Sequence, residues 1–90
     1  MRGYSITKDD YQKRLRRIEG QVRGLQRMID EDTYCVDVMK QTYAIRRAIE
    51  KMEAKMLEGH LHHCVMDAVR DGRSEESFSE LIELYRVANK

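Results

Sequence analysis

The chain has 90 residues, enough for at most one small domain. It contains no proline or tryptophan, and 37% of its residues are charged while 41% are hydrophobic, a composition typical of long helices. No run of about 18 apolar residues is present, so no membrane-spanning segment is predicted, and the N-terminal residues lack the apolar core of a signal peptide. We therefore expect a cytoplasmic, all-α protein, whose two cysteines are more typical of thiols, metal ligands or buried side chains than of a disulfide.

The net charge of +1 is unevenly distributed along the chain. Residues 1–30 contain eight Lys or Arg against four Asp or Glu, whereas residues 61–90 contain four against six. A basic segment can bind nucleic acid or another anionic surface. A solvated helix face explains the same charges, and charge alone favours that simpler interpretation.

The first predicted helix follows Thr7 or Asp9, either of which can cap it. Apolar residues then recur in alternating steps of four and three, the spacing of a coiled-coil stripe. They are Tyr11, Leu15, Ile18, Val22, Leu25 and Ile29. Basic side chains occupy much of the remaining surface of this helix.

The segment IDEDTY interrupts the helical pattern, and Asp32 or Thr33 is predicted to start a second helix that runs from about residue 34 to residue 69. Gly59 lies inside it and is where a local kink would fall. The main apolar stripe of this middle helix is Val38, Ile45, Ile49, Met52 and Met56.

A third helix, capped by Ser74, is predicted over Glu75 to Val87. Its apolar stripe is Phe78, Leu81, Ile82 and Tyr85. Three helices with a long middle one leave a thin core in a chain of this size, so oligomerisation is expected.

The segment GHLHHC, residues 59–64, carries the candidate metal ligands. His60 and Cys64 are four residues apart, which places an imidazole and a thiol on one face of a helix, where they can share a soft metal ion. Two ligands rarely suffice, and Cys35 is the only other cysteine. Along an unbroken helix, Cys35 and His60 would be roughly 37 Å apart, too far for one ion.

Either the two cysteines are unrelated, or the metal site forms between chains. Two copies packed antiparallel about a two-fold axis would set Cys35 of one against His60 and Cys64 of the other, and would bury the stripes of the long helices. A buried unreactive cysteine and a hydrogen-bonded histidine explain the same residues, because cysteine is among the most buried residue types. The residue types alone leave both interpretations open.

Four segments together resemble the CsoR/RcnR family of small bacterial repressors. YCVDVMKQ at 34–41 resembles the region around the first cysteine of copper-sensing members, and GHLHHC resembles the His-Leu-x-x-Cys that follows it. RLRRIEGQVRG at 14–24 resembles the first-helix signature of the family, and DGRSEESFSELIEL at 71–84 resembles its third helix. The resemblance covers nearly the whole chain, and the motifs are specific in combination.

This resemblance implies the assembly and the activity of the protein. It implies an antiparallel dimer of three-helix protomers, assembled into a tetramer as a dimer of dimers. The apo tetramer would bind operator double-stranded DNA through a broad basic face and repress an efflux or detoxification operon, and effector binding would weaken that complex. Residues 1–90 would form a single domain for DNA binding and metal sensing, with no enzyme activity and no small-molecule substrate.

The resemblance also implies Cu(I) as the effector, because copper sensors use the set that Cys35, His60 and Cys64 match. Two thiolates and one imidazole are soft donors that suit Cu(I), whereas Zn(II) prefers four ligands in a tetrahedron. His63 beside Cys64 would admit zinc if it became a fourth ligand, although a solvent-facing side chain is the simpler interpretation. Family members that sense zinc, nickel or cobalt, or reactive sulfur are the main alternatives.

Further residues take their roles from the same resemblance. Tyr34 and Glu80 match positions placed to hydrogen-bond the ligating histidine in copper-sensing relatives. Arg14 and Lys51 match basic positions implicated in DNA binding there, and affinity that depends on neutralised phosphates should fall steeply with salt. Supporting basic candidates are Arg16, Arg17, Arg46 and Arg47.

Two other classes of function are kept as alternatives. A metal-buffering protein without DNA function would explain the candidate ligands but not the basic first helix. A purely structural helical oligomer with buried thiols would explain the apolar stripes alone. A Cys–His pair at helical spacing offers no oxyanion hole, so an enzyme is the least favoured class.

Overall fold

The structure, a computed structural model, describes residues 8–90. Its elements are α1 (Lys8–Asp30), α2 (Cys35–Gly59), a π-helical segment (His60–Val65), α3 (Met66–Arg70) and α4 (Ser74–Ala88). The backbone is helical without interruption from residue 35 to residue 70, so α2, the π segment and α3 form one middle helix. The predicted all-α fold of three helices with a long middle one is confirmed. Residues 8–90 contain no strand, and none of their helices is long and apolar enough to cross a membrane.

Residues 8–55 form one compact unit, built from α1 and most of α2. Its buried apolar side chains are those of Tyr11, Ile18 and Ile45. Lys55 Nζ lies 3.4 Å from Asp10 Oδ2. Because Asp10 and Lys55 are about equally far along the chain from the connection at residues 31–34, this ion pair shows that α1 and α2 run antiparallel.

The connection between α1 and α2 begins with a Schellman motif. The backbone N–H of Thr33 donates a hydrogen bond to the carbonyl oxygen of Met28 (2.9 Å), while Asp32 adopts a left-handed φ of 55°. Tyr34 then precedes α2, and its carbonyl oxygen accepts hydrogen bonds from two N–H groups of the first turn. The prediction that Asp32 or Thr33 starts the second helix is therefore corrected: both residues belong to the turn that ends α1, and α2 begins at Cys35.

The other predicted caps also differ from the structure. Asp9 lies inside α1 rather than before it, and Thr7 lies outside the described residues. Ser74 is the first residue of α4, and Arg73 occupies the capping position without a capping hydrogen bond from its side chain. The N–H of Arg73 donates to the carbonyl oxygen of Ala68 (2.7 Å), so the backbone that closes α3 also determines where α4 begins.

Residues 56–90 form the second compact unit, in which α4 packs against both the π segment and α3. Its buried side chains are those of Val65, Ala68 and Ser77. The turn between α3 and α4 is a second Schellman motif, with Gly72 at a φ of 78°. This turn sends the chain back along the helix that carries the candidate metal ligands.

Replacing Gly72 by alanine is expected to lower the free energy of unfolding by about 1–2 kcal/mol. A Cβ at this position would meet no other atom within 4 Å, so the cost comes from the left-handed backbone alone. Thermal unfolding followed by circular dichroism measures the effect. Gly72→Asn is the matched control and should cost less, because asparagine adopts this conformation more readily. Equal stability of Gly72→Ala and the wild type would contradict the backbone explanation.

Part of each predicted apolar stripe is exposed on the single chain. In α1, the stripe residues Tyr11 and Ile18 are buried, whereas Leu15 between them faces solvent. Large apolar side chains left on a surface are typical of a protein that associates with another molecule. The exposed stripe members are Leu15, Val22 and Ile29 in α1, Met56 in α2, and Phe78, Ile82 and Tyr85 in α4.

Candidate metal centre and basic face

His60 and Cys64 lie in the π-helical segment that follows Gly59. A π-helix joins residues i and i+5 instead of i and i+4, so its turn is wider than that of an α-helix. Residue i+4 falls just short of a full π turn, whereas it passes slightly beyond a full α turn. His60 and Cys64 therefore share a face of the π segment, although the sequence predicted an α-helix there. Such segments are rare and are found frequently at functional sites.

The polar side chains of the π segment differ in exposure. His60 and Cys64 are half-buried, whereas His62 and His63 are exposed. The helix α4 packs against the same segment. The imidazole and the thiol that the sequence paired are thus the two that the protein partly covers, and the solvent-facing position predicted for His63 is confirmed.

Cys35 is the first residue of α2, and its thiol is exposed. Tyr34 precedes it, with a side chain that is 69% exposed. Neither Cys35 nor Cys64 takes part in a disulfide within residues 8–90. The start of α2 thus presents a thiol and a phenol to solvent.

A single chain does not assemble a three-ligand site from its described residues. Within residues 8–90, no group of three or more His, Cys, Asp or Glu side chains could hold a metal ion. Cys35 begins α2 and Gly59 ends it, and a helix of 25 residues is about 37 Å long. Cys35 and the candidate ligands His60 and Cys64 thus belong to different helical segments of the chain.

Glu80 is exposed on α4, the helix that packs against the π segment. Its carboxylate makes no ion pair with the described residues. The hydrogen-bonding roles expected for Glu80 and Tyr34 stay predictions.

The basic candidates for DNA binding differ in their existing partners. Arg14 Nε donates a hydrogen bond to Asp10 Oδ2 at 3.0 Å, and the Arg14 side chain is 25% exposed. Arg46 Nε lies 3.6 Å from Glu50 Oε1, and its guanidinium carbon lies 5.0 Å from the centroid of the Tyr43 ring. The remaining candidates are exposed: Arg16, Arg17, Arg47 and Lys51.

Asp10 is a charged residue of this face that the sequence reasoning missed. Its carboxylate contacts both Arg14 and Lys55, and the hydrogen bond from Arg14 is the main cause that lowers the pKa of Asp10. At pH values above the usual pKa of an aspartate, the ionised Asp10 carboxylate therefore stabilises the folded state. This stabilisation is lost as the pH falls through the lowered pKa. The spacing of Asp10 and Arg14, four residues apart on a helix, is the sequence signal that could have found this pair.

Fold and side chains together define a class: small all-α proteins that carry soft metal donors on a long middle helix and basic side chains on the helix before it. The family model described as metal-sensitive transcriptional repressor matches residues 7–87, and the chain belongs to this family. The resemblance inferred from the sequence motifs is thereby confirmed. Because the family consists of transcriptional repressors, the prediction that the chain is not an enzyme is confirmed as well.

Individual relatives are copper sensors by name. The chain is 45% identical over 86 residues to the copper-sensing transcriptional repressor CsoR of Bacillus subtilis (strain 168), covering 96% of this chain and 85% of that protein. It is 53% identical over 70 residues to the copper-sensing transcriptional repressor RicR of Mycobacterium tuberculosis (strain ATCC 25618 / H37Rv), covering 78% and 73%. The crystal structure of the copper-sensing repressor CsoR with Cu(I) from Geobacillus thermodenitrificans NG80-2 matches with a TM-score of 0.89 at 41% identity, covering 91% of this chain and 85% of that chain.

Proposed function

We propose that the protein is a Cu(I)-responsive transcriptional repressor, which binds operator DNA without metal and releases it when Cu(I) binds, so that copper efflux or detoxification genes are expressed. The observation that carries the proposal is the placement of His60 and Cys64 on one face of the π segment, in a member of a metal-sensitive repressor family. The copper-sensing names of relatives at 45% and 53% identity support Cu(I) as the effector. We also propose a cytoplasmic location, because a bacterial repressor acts where its operator DNA lies.

The metal site that we propose lies between two chains. Cys35 of one chain would join His60 and Cys64 of a second chain, with the middle helices antiparallel about a two-fold axis that creates two equal sites. The absence of a three-donor group within residues 8–90 supports a shared site. The apolar stripe residues of α1 and α4 that are exposed on the single chain support association, because a dimer, and then a tetramer formed as a dimer of dimers, would bury them.

The donor chemistry at these positions fits Cu(I). When bound, the ion would take two thiolates and one imidazole, a soft three-coordinate set. The partial burial of His60 and Cys64 limits the access of water as an additional ligand. A tetrahedral zinc site would need a fourth donor, which the three proposed ligands do not include.

Coupling between the metal site and the DNA-binding face would use the second ring nitrogen of His60. A ligating histidine usually donates this N–H to an oxygen atom, which fixes the ring orientation. Tyr34 and Glu80 are the partners that we propose for this hydrogen bonding. Glu80 lies on α4, and His60 lies on the π segment against which α4 packs. This packing supports a direct mechanical connection between His60 and α4.

The DNA-binding face that we propose is built on α1 and α2, with Arg14 and Lys51 as its main phosphate contacts. The other basic residues of these helices would add to the attraction for the DNA backbone. In this proposal residues 1–90 act as one domain, because the middle helix carries both Lys51 and the metal ligands His60 and Cys64. The supporting contacts are Arg16, Arg17, Arg46 and Arg47.

An anaerobic titration tests the function directly. A labelled DNA duplex, selected by the metal-free protein from a random-sequence pool, is bound and then titrated with Cu(I), Zn(II) or Ni(II) while fluorescence anisotropy is followed. We expect Cu(I) to release the duplex at the lowest concentration. By linkage, the duplex should weaken Cu(I) binding by the same factor by which Cu(I) weakens DNA binding.

Three results of this titration would contradict the proposal in different ways. Tight Cu(I) binding without any DNA binding would indicate a metal buffer. Release by Zn(II) or Ni(II) at lower concentrations than Cu(I) would indicate a sensor of another metal. Binding of neither DNA nor metal would leave a structural helical oligomer.

A further inference from the structure

We propose that Asp10 is an internal competitor of the DNA phosphates and limits how tightly the basic face holds DNA of any sequence. This inference rests on the proposed DNA-binding function and adds a residue that regulates it. Asp10 Oδ2 lies 3.0 Å from Arg14 Nε on its own helix and 3.4 Å from Lys55 Nζ on the next one. One carboxylate oxygen therefore contacts cations on both antiparallel helices.

The ion pair between Asp10 and Lys55 also defines which residues of α1 and α2 lie side by side. Arg14 is one turn after Asp10 on α1, and Lys51 is one turn before Lys55 on α2. Because the two helices run antiparallel, Arg14 and Lys51 are at the same level along the helix pair. The Asp10 carboxylate thus contacts one main phosphate-contact candidate, Arg14, and also Lys55, which lies one turn from the other candidate, Lys51.

A phosphate oxygen and a carboxylate oxygen are alternative partners for the same guanidinium or ammonium group. The Asp10 side chain is 43% exposed, and exposed ion pairs are weak, so a phosphate can approach Arg14 and Lys55 without unfolding the helices. The negative charge of Asp10 nevertheless stays among the cations and offsets one of them. It therefore reduces the number of phosphates that the face neutralises.

The consequence applies to DNA of every sequence. Non-specific binding comes almost entirely from neutralised phosphates, whereas specific binding also uses contacts to the bases. Loss of one effective positive charge therefore weakens both by a similar factor. Asp10 would thus lower the affinity for operator and non-operator DNA by a similar factor, which leaves the difference between the two binding free energies unchanged.

The test compares Asp10→Asn with the wild type in the full chain. Fluorescence anisotropy measures binding to the duplex selected by the wild type and to a shuffled duplex of the same composition, between about 50 and about 200 mM salt. We expect the plot of log affinity against log salt to be steeper by about 0.9 for both duplexes, so that affinity falls about 3.5-fold more over this range than for the wild type. At the lowest salt, the shuffled duplex should bind the variant more tightly than it binds the wild type.

Asp9→Asn is the matched control, because it changes the net charge equally in the same helical turn. Asp9 is exposed and forms no ion pair with the described residues, so its variant should keep the wild-type slope. Asp10→Glu, which keeps the negative charge, should keep that slope too. Circular dichroism verifies that all three variants are folded.

An unchanged slope of log affinity against log salt in Asp10→Asn would overturn the inference. Equal steepening in Asp9→Asn would also overturn it, because the net charge of the protein would then explain the effect. Failure of the proposed function gives a different result. In that case the wild-type protein selects no duplex from the pool and binds neither DNA, whatever the variants do.

Discussion

Mixing the Cys35→Ala and Cys64→Ala variants is expected to restore Cu(I) binding that neither variant has alone. If the site takes Cys35 from one chain and Cys64 from the other, every site in each pure variant lacks a thiolate. A heterodimer has one site with both thiolates and one site with neither. Random exchange of subunits should therefore recover about a quarter of the wild-type sites.

The size of the effect makes this test decisive. Removal of one ligand from a three-ligand site should weaken Cu(I) binding by more than the roughly 10–100-fold loss typical of a residue that only hydrogen-bonds a ligand. The two variants are unfolded together, refolded to exchange subunits, and titrated anaerobically against a Cu(I) chelator of known affinity. The measured quantity is the number of tight sites per chain.

A control mixture excludes recovery caused by refolding itself. Cys35→Ala mixed with the double variant Cys35→Ala, Cys64→Ala cannot form a complete site in any combination, so it should recover no binding. If the mixture of the two single variants also recovers no Cu(I) binding, the site is not shared between chains. Tight binding by either pure variant would show that its missing cysteine is not a ligand.

Charge reversal at Arg14 is expected to abolish most DNA binding while leaving Cu(I) binding intact. A charge-assisted hydrogen bond to a phosphate contributes about 1.5–3 kcal/mol, so its loss alone should weaken binding by about tenfold or more. Arg14→Glu also places a second carboxylate beside Asp10, which would repel the phosphate further. The slope of log affinity against log salt should become shallower by about 0.9 for each phosphate that the variant no longer neutralises.

Arg86→Glu is the matched control for this experiment, since it makes the same change of charge on α4, outside the proposed face. We expect it to bind DNA nearly as the wild type does. Cu(I) affinity should be unchanged in both variants, because neither residue is a proposed ligand. Loss of DNA binding in both variants, or loss of Cu(I) binding in Arg14→Glu, would contradict the separation of the two surfaces.

The positions of the helices and the pairing of His60 with Cys64 follow from residue patterns within single helices. The steps of three and four in the apolar residues predicted three helices, and the observed elements begin and end close to the predicted positions. The spacing of His60 and Cys64 predicted that they share a face, and the motifs at 14–24, 34–41, 59–64 and 71–84 indicated the repressor family. The helices and the shared face depend on residues within one or two turns of each other, so the local sequence is sufficient to determine them.

Other features depend on contacts between residues that are distant along the chain, and only the tertiary structure decides them. The contact of Asp10 with Lys55 exists because α1 and α2 pack antiparallel, so no spacing within α1 could reveal it. The π segment at His60–Val65 lies where α4 packs, and its wider turn is not visible in the apolar periodicity. Burial of Ile18 beside exposed Leu15 and Val22 likewise follows from how the helices meet, because a stripe in the sequence shows which residues are apolar and not which of them a neighbouring helix covers.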